Sequence, residues 1–337
     1  MVQQTPEQLF EPFDEATTLL QAALKSSYLD AFLENAENLV DGGKVRIEDG
    51  IPDKATTEKI AAQYQKLDLE HADRETIRKL LQLSLLKVIR KDMIQANHQM
   101  TPDTIGLLMA ALVERLAQHH LPKSILDLTV GTGNLLYTVM NQLQRDEQQT
   151  LQGYGIDNDD SLLAVASVSG ELQKQKVQLY HQDAVQALDV PLVNLVVSDL
   201  PVGYYPLDDN TTNYKTRAKE GHSYVHHLLI EQATNYLQPG GFGLFLIPSD
   251  LFKTKETKGF VEWIQSVAYL QGLINLPHEL FANPAAEKSI LLLQRHGADS
   301  HQAGKVLLGT FPSFKDQVGF KRFMAEVDQW MVSNLAR

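Results

Sequence analysis

"ILDLTVGTGNLL", from Ile125 to Leu136, sets an aspartate in an apolar run, then a Gly-Thr-Gly turn, then a second apolar run. Asp127 is expected in a strand, Gly131, Thr132 and Gly133 in the turn, and Asn134 at the start of a helix. Glycines let the backbone approach a ligand, and the first turn of a helix offers N–H groups with no partner inside it. The turn is not a dinucleotide fingerprint, because Leu136 stands where the third glycine of G-x-G-x-x-G belongs. Nor is it a phosphate-cradling loop, since no Gly-Lys-Ser/Thr follows.

Outward from this turn the texture repeats. "LQGYGID", "VQLYHQD", "NLVVSDL", "FGLFLIP", "LQGLINL" and "KSILLLQR" are short apolar strands separated by helical stretches. Nearly continuous apolar strands alternating with helices predict a parallel sheet covered on both faces. Such a doubly wound α/β sheet binds its ligand beyond the carboxyl ends of its strands. "GKVLLGTFPSF" reads as one more strand and "FKRFMAEVDQWMVSNLA" as a closing helix. Residues 1–95 read as helical throughout. Thr5 and Pro6 open a first helix, a second runs from about Tyr28 to Val40 and stops at Gly42-Gly43, and "KVRIEDGIPD" breaks the pattern. The expected division is a helical domain over 1–95 and a ligand-binding α/β domain over 96–337.

Composition narrows the chemistry. The chain of 337 residues has no cysteine, which excludes disulfides, thiolate nucleophiles and cysteine-ligated metal centres. Its net charge of −12 opposes unaided binding to a phosphate backbone. The run Ile77–Lys91 carries five bases and no acid, and is expected to be a solvated helix face. No apolar run approaches the ~20 residues of a membrane span, and the acidic N-terminus is no secretion signal, so a cytoplasmic location is expected.

Two further strand ends carry acids. "GYGIDNDD" ends at Asp157, followed by Asn158, and "LYHQDAVQAL" ends at Asp183, followed by Ala184. Glycine-rich backbone and two acids on successive strand ends suit a ligand with a ribose and an adenine but no pyrophosphate. The alternative is that both acids simply cap the helices that follow.

These residues carry a resemblance. "DLTVGTGNLL" resembles the S-adenosylmethionine motif of class I methyltransferases, specifically the amino-methylating DNA adenine type. "NHQMTPDTIGLLMAAL" is similar to that family's Thr-Pro segment beside the methionine end of the cofactor. "YLQPGGFGLFLIPSDLF" and "LINLPHELFANPAAEKSILLLQR" resemble the late motifs of type I restriction modification subunits, so the likeness spans about Asn97 to Arg295. It implies a Rossmann-like sheet of seven strands, the last antiparallel, with S-adenosyl-L-methionine as cofactor. Asp157, with Asn158, would hold the ribose hydroxyls, and Asp183, with Ala184, the adenine amine. Thr101, Asn134 and the stretch from Asp127 through Thr129, Gly131, Thr132 and Gly133 would line the methionine portion.

The fourth strand end reads "SDLPVGYYP", where the family has Asn/Asp-Pro-Pro-Tyr/Phe. An exocyclic amine is a poor nucleophile, and two acceptors aimed at its N–H bonds stabilise the charge it gains on methylation. By the resemblance Asp199 and the Leu200 carbonyl are those acceptors, and Pro201 stiffens the turn. Val202 replaces the aromatic that stacks on a flipped base, leaving Tyr204 or Tyr205 to supply the ring or to pack the loop.

"LDDNTTNYKTRAKEGHS" follows, a polar loop in which Lys215 and Arg217 are candidate phosphate contacts and a mobile surface loop is the alternative. His222, His226 and Glu231 have helical spacing, but transfer from a sulfonium needs no metal, and none is expected. The expected function is methyl transfer to an exocyclic amine, adenine N6 in DNA first, with RNA or a protein glutamine as alternatives. A cofactor-binding protein without catalysis, acting through a partner, is the competing reading. No target-recognition segment is visible, so a specificity or other partner protein is expected.

Overall fold

The computed structural model describes residues 3–92, 100–144 and 150–335. Four helices come first: α1 (Pro6–Leu24), α2 (Tyr28–Val40), α3 (Lys54–Tyr64) and α4 (Arg74–Lys91). Thr5 and Ser27 close capping boxes on α1 and α2, and Asp53 and Asp73 cap α3 and α4, each accepting a backbone N–H of the first turn. "KVRIEDGIPD" holds a single antiparallel bridge between Glu48 and Ile51. The division expected at residue 95 lies outside the described residues.

The α/β part runs α5 (Asp103–Ala117), β1 (Ser124–Asp127), α6 (Asn134–Leu143), β2 (Gln152–Asp157), α7 (Asp160–Leu172) and β3 (Val177–His181). It continues with β4 (Val193–Asp199), α8 (Val225–Tyr236), β5 (Leu237–Pro248), α9 (Thr257–Val267), β6 (Ala268–Asn275), β7 (Lys288–Arg295), β8 (Leu307–Thr310) and α10 (Gln317–Asn334). The sheet order is β3-β2-β1-β4-β5-β7-β6-β8, parallel except for β7, which is antiparallel to β5 and β6. The sheet has eight strands where the resemblance implied seven. Leu307–Thr310 adds a short parallel edge strand to Gly272–Asn275.

The strands read as continuous apolar runs because each face meets its own core. Leu195, Val197, Leu244, Leu246, Ile290 and Leu292 face the helices α5, α6 and α10. Val193, Val196, Phe245, Ile247, Leu291 and Leu293 face α8 and α9. The alternation of period two is hidden when both faces are buried. The N-terminal helices pack on the α/β part. Phe13, Phe32, Leu81, Leu85 and Val88 share a core with Val165 and Val168 of α7.

Between β1 and β4 the order of connections reverses, which opens a crevice at the carboxyl edge. The turn after β1 is fixed there by Gly133, whose φ is +79°. A Cβ at Gly133 would lie 2.3 Å from the buried ring of Tyr137, whose hydroxyl donates to the Ala166 carbonyl at 2.6 Å. Gly133→Ala is therefore expected to lower the free energy of unfolding by about 2 kcal/mol, read from the urea midpoint at unchanged slope.

Candidate functional site

Four strand ends place carboxylates along one edge. Asp127, at the end of β1, is 1% exposed and accepts the Thr129 N–H at 3.1 Å. Burial pushes its carboxyl up to about 7, against the Thr129 N–H and the Ser198 hydroxyl and with help from the charges of Asp199 and Asp157. Asp157, at the end of β2, accepts the Gly131 N–H at 2.8 Å and the Asp159 N–H at 3.1 Å. Burial also raises the Asp157 carboxyl, and these backbone donors oppose the shift. Asn158 is exposed, and Ala184 is half-buried beside Asp183.

Asp183 accepts the Val185 N–H at 2.9 Å and the hydroxyl of Tyr205. Tyr205 is 6% exposed and its hydroxyl also accepts from Asn210 at 2.8 Å. The substrate-stacking role considered for Tyr205 is thereby corrected: the ring packs in the core of α8 and α9 and its hydroxyl fixes Asp183. Tyr204 is the exposed member of the pair at 61%, and its ring stacks on Tyr224 with centroids 4.9 Å apart. A bridge between Tyr204 and Tyr224 holds this pair beside the turn. Val202 is 62% exposed next to it.

Asp199, at the end of β4, has both carboxylate oxygens engaged. Thr101 donates its hydroxyl to Oδ2 at 2.9 Å, and the Lys288 ammonium pairs with Oδ1. The Thr129 hydroxyl donates to the Asp199 carbonyl at 3.1 Å, tying the turn after β1 to the turn after β4. Leu200 is fully buried and Pro201 exposed, so the chain leaves the core within two residues.

Asn134 does not turn its amide towards the crevice. Its Nδ2 donates to the Thr101 carbonyl at 2.8 Å, and its Oδ1 accepts from Arg78 at 2.6 Å. Arg78 lies in the basic run expected to be a solvated face, yet it is 2% exposed. That expectation fails at position 78, while Arg90 and Lys91 are exposed, because position 78 belongs to the helix stripe that carries Leu81 and Leu85, both buried. A charge inside an apolar stripe was the readable signal. Lys288 was missed too. It opens β7, the strand that runs against its neighbours and so begins at the carboxyl edge.

The loop after Pro206 is anchored. Glu231 accepts the Lys215 and Thr216 N–H groups at 3.0 and 2.7 Å, and the Tyr214 hydroxyl donates to the Val185 carbonyl at 2.6 Å. Lys215 and Arg217 project from it as exposed cations. The carboxylate of Glu231 is thus occupied by backbone. His226 and His227 are buried on α8, where desolvation holds their imidazoles down at about 4 and about 3.

A mostly parallel sheet with β7 inserted antiparallel, a glycine turn after β1 and acids after β2 and β3 define the class I methyltransferase architecture. Within that class the chain belongs to the N-6 DNA methylase family, whose pattern matches residues 89–321. The YtxK N-terminal helical domain matches residues 7–89. YtxK of Bacillus subtilis, an uncharacterized protein, is 36% identical over 96% of each chain. A Listeria monocytogenes structure, described as a class I S-adenosylmethionine-dependent methyltransferase, is 40% identical, with TM-score 0.86 over 96% of this chain and 98% of that one. The methyltransferase subunit of a type I restriction-modification system from Streptococcus thermophilus shares the fold, at 12% identity and TM-score 0.63 over 94% of this chain and 74% of that one.

S-adenosyl-L-methionine is the cofactor of this family, and the residues present fit it. The position of a Cβ on Gly131, whose φ is +52°, meets nothing within 4 Å, so the turn leaves open space. The Thr132 hydroxyl is buried without a partner in the same turn. Acids on successive strand ends suit a cation with ribose hydroxyls and an exocyclic amine.

The Asp127 carboxyl supplies a pH dependence. Its folded value, about 7, lies above the ~3.9 of an unfolded aspartate, so its contribution to stability is full below pH ~4 and is lost as pH rises through ~7. Asp127→Asn removes that titration. The variant is expected to gain stability relative to the natural protein as pH rises from about 5 to 8, measured by thermal unfolding of both across that range.

Proposed function

We propose that the protein transfers a methyl group from S-adenosyl-L-methionine to an exocyclic amine, N6 of adenine in DNA, at Asp199. The observation that carries this reading is the fixed orientation of the Asp199 carboxylate at the crevice, beside the turn after β1. When bound, the cofactor supplies an electrophilic methyl on a sulfonium. Thr129, Gly131, Thr132 and Thr101 hold its methionine portion, Asp157 the ribose hydroxyls, and Asp183 the adenine amine.

Each carboxylate oxygen has two lone-pair sites, so Asp199 retains acceptor capacity after Thr101 and Lys288 have each taken one. Those free lone pairs and the Leu200 carbonyl accept the two N–H bonds of the substrate amine. As the nitrogen turns tetrahedral and gains positive charge, both acceptors bind it more strongly than in the ground state. The nitrogen–methyl bond forms as the methyl–sulfur bond breaks, which would leave the spent cofactor as a neutral thioether, and the proton released from nitrogen passes by way of the Asp199 carboxylate to solvent, giving the secondary amine. Pro201 keeps the Leu200 carbonyl in place. Tyr204, stacked on Tyr224, offers its exposed surface to a planar base in place of the aromatic that Val202 replaces. Lys215 and Arg217 meet the phosphates.

With a net charge of −12 the chain needs help on DNA, and a specificity subunit or similar partner provides it. In this reading residues 1–95 form a helical domain, residues 96–337 form the methyltransferase domain, and the protein works in the cytoplasm. Among the described residues no helix is long and apolar enough to cross a membrane. A second reading is favoured by the exposed Val202 and the ion pair on Asp199: a cofactor-binding protein that acts through a partner without catalysis.

Radiolabelled S-adenosylmethionine offered with DNA, RNA and protein in parallel, with cell extract supplying partners, separates these readings. Label is expected in DNA as N6-methyladenine. Asp199→Ala is expected to abolish transfer while calorimetric cofactor affinity stays within a few-fold. Label in RNA or protein would move the acceptor, and label in no pool would leave the second reading. Lys288→Ala frees one oxygen of Asp199 and is expected to slow transfer by roughly tenfold to a hundredfold at nearly unchanged cofactor affinity, read from single-turnover rates.

A further inference from the structure

The α4 helix reaches into the site. Arg78 spends all five of its N–H donors inside the protein: Nε and Nη2 on Glu75, Nη1 and Nη2 on Asp103, and Nη1 again on Asn134 Oδ1. Glu75 belongs to its own helix. Asp103 and Asn134 are the first residues of α5 and α6, the helices that follow the Thr101 segment and the Gly131–Gly133 turn. Burial alone would raise the Asp103 carboxyl, but the guanidinium fork outweighs it and holds the group below the usual carboxylate range.

The contact orients as well as binds. An amide can present either its oxygen or its nitrogen on a given side, and a cation at 2.6 Å admits only the oxygen. Asn134 must then turn Nδ2 to the Thr101 carbonyl, at 2.8 Å. Thr101 in turn donates its hydroxyl to Asp199 at 2.9 Å. The same helices lie directly on the glycine turn: Leu29 of α2, Leu85 and Val88 of α4, Met100 and Thr132 line one cavity of about 20 Å³.

We propose that Arg78 is a positioning residue through which the N-terminal helices set the cofactor turn and Thr101. The proposal rests on the reading of this crevice as the S-adenosylmethionine site. Arg78 touches no reacting atom. It acts by fixing the amide of Asn134 and the starts of α5 and α6, so the N-terminal helices are a component of the site.

The test is calorimetric titration of the full chain with S-adenosylmethionine, at a temperature where circular dichroism shows every variant folded. Arg78→Met removes the fork. Because it takes the guanidinium away from Glu75 and Asp103 and risks misfolding, Asn134→Asp is the second variant. Asn134→Asp keeps an acceptor for Arg78 and a favourable acid at a helix start, and loses the Nδ2 donor to the Thr101 carbonyl and, at 3.4 Å, to Asp103. Each single variant is expected to weaken binding by about tenfold, with the double variant no weaker than the worse single, because the two residues act as one unit. A purely structural Arg78 would lower the melting temperature and leave affinity of the folded protein unchanged. Wild-type affinity in Asn134→Asp, or fully additive losses, would overturn the proposal and leave the proposed function standing. Failure of the natural protein to bind S-adenosylmethionine would overturn both.

Discussion

A carboxylate at the end of a strand buried on both faces has left the backbone ladder without reaching open water, so it needs donors brought to it. Asp199 is in that position, and the architecture around the crevice supplies its donors. Thr101 comes from the segment that enters α5, and Lys288 from the first residue of β7. Strands that run parallel to β4 end at this edge. β7 begins there, because it runs antiparallel between β5 and β6 and pairs Lys288 with Pro248 at the close of β5. The reversed strand is thus what lets a lysine reach the turn after β4 from across β5.

The same logic shapes the electrostatics. Asp127, Asp157 and Asp199 lie close enough that the charges of the other two help raise the Asp127 carboxyl. Crowded acids in a partly dry crevice disfavour their own ionisation and favour a cation that enters among them. A sulfonium cofactor answers that need, whereas a polyanion does not. In the proposed function, attraction of a phosphate backbone is then left to exposed cations such as Lys215 and Arg217, or to another protein.

The fold was legible because its strands are short, apolar and separated by helices. The acids at their ends were legible because a polar residue closing an apolar run marks the exit from the core. What the sequence hid were choices between sides. Tyr204 and Tyr205 must point oppositely, but nothing in their order says that Tyr205 goes down onto Asp183 and Tyr204 out onto Tyr224. Arg78 was hidden by averaging, since a run of five bases reads as a wet face even when one sits among buried leucines. The eighth strand, with every second residue exposed as an edge strand has, was legible in "GKVLLGTFPSF", and only the resemblance to a seven-stranded family counted against it.

The ion pair on Asp199 bears on how the site differs from an amide-based acceptor. An asparagine offers one carbonyl oxygen and no net charge. Asp199 paired with Lys288 offers carboxylate lone pairs with the charge offset by a neighbour, so the pair is close to neutral as a unit. In the proposed reaction the offset has opposite effects on the two stages of transfer. It lowers the cost of holding a carboxylate in the crevice before the amine arrives, and it weakens the field that favours positive charge on nitrogen afterwards. Thr101 and Lys288 take one lone-pair site on each oxygen, so acceptor capacity for an amine remains in the proposed reaction. In the proposed reaction the exposed face of Tyr204 would take a planar base close in sequence to Asp199, and the bridge to Tyr224 fixes that ring.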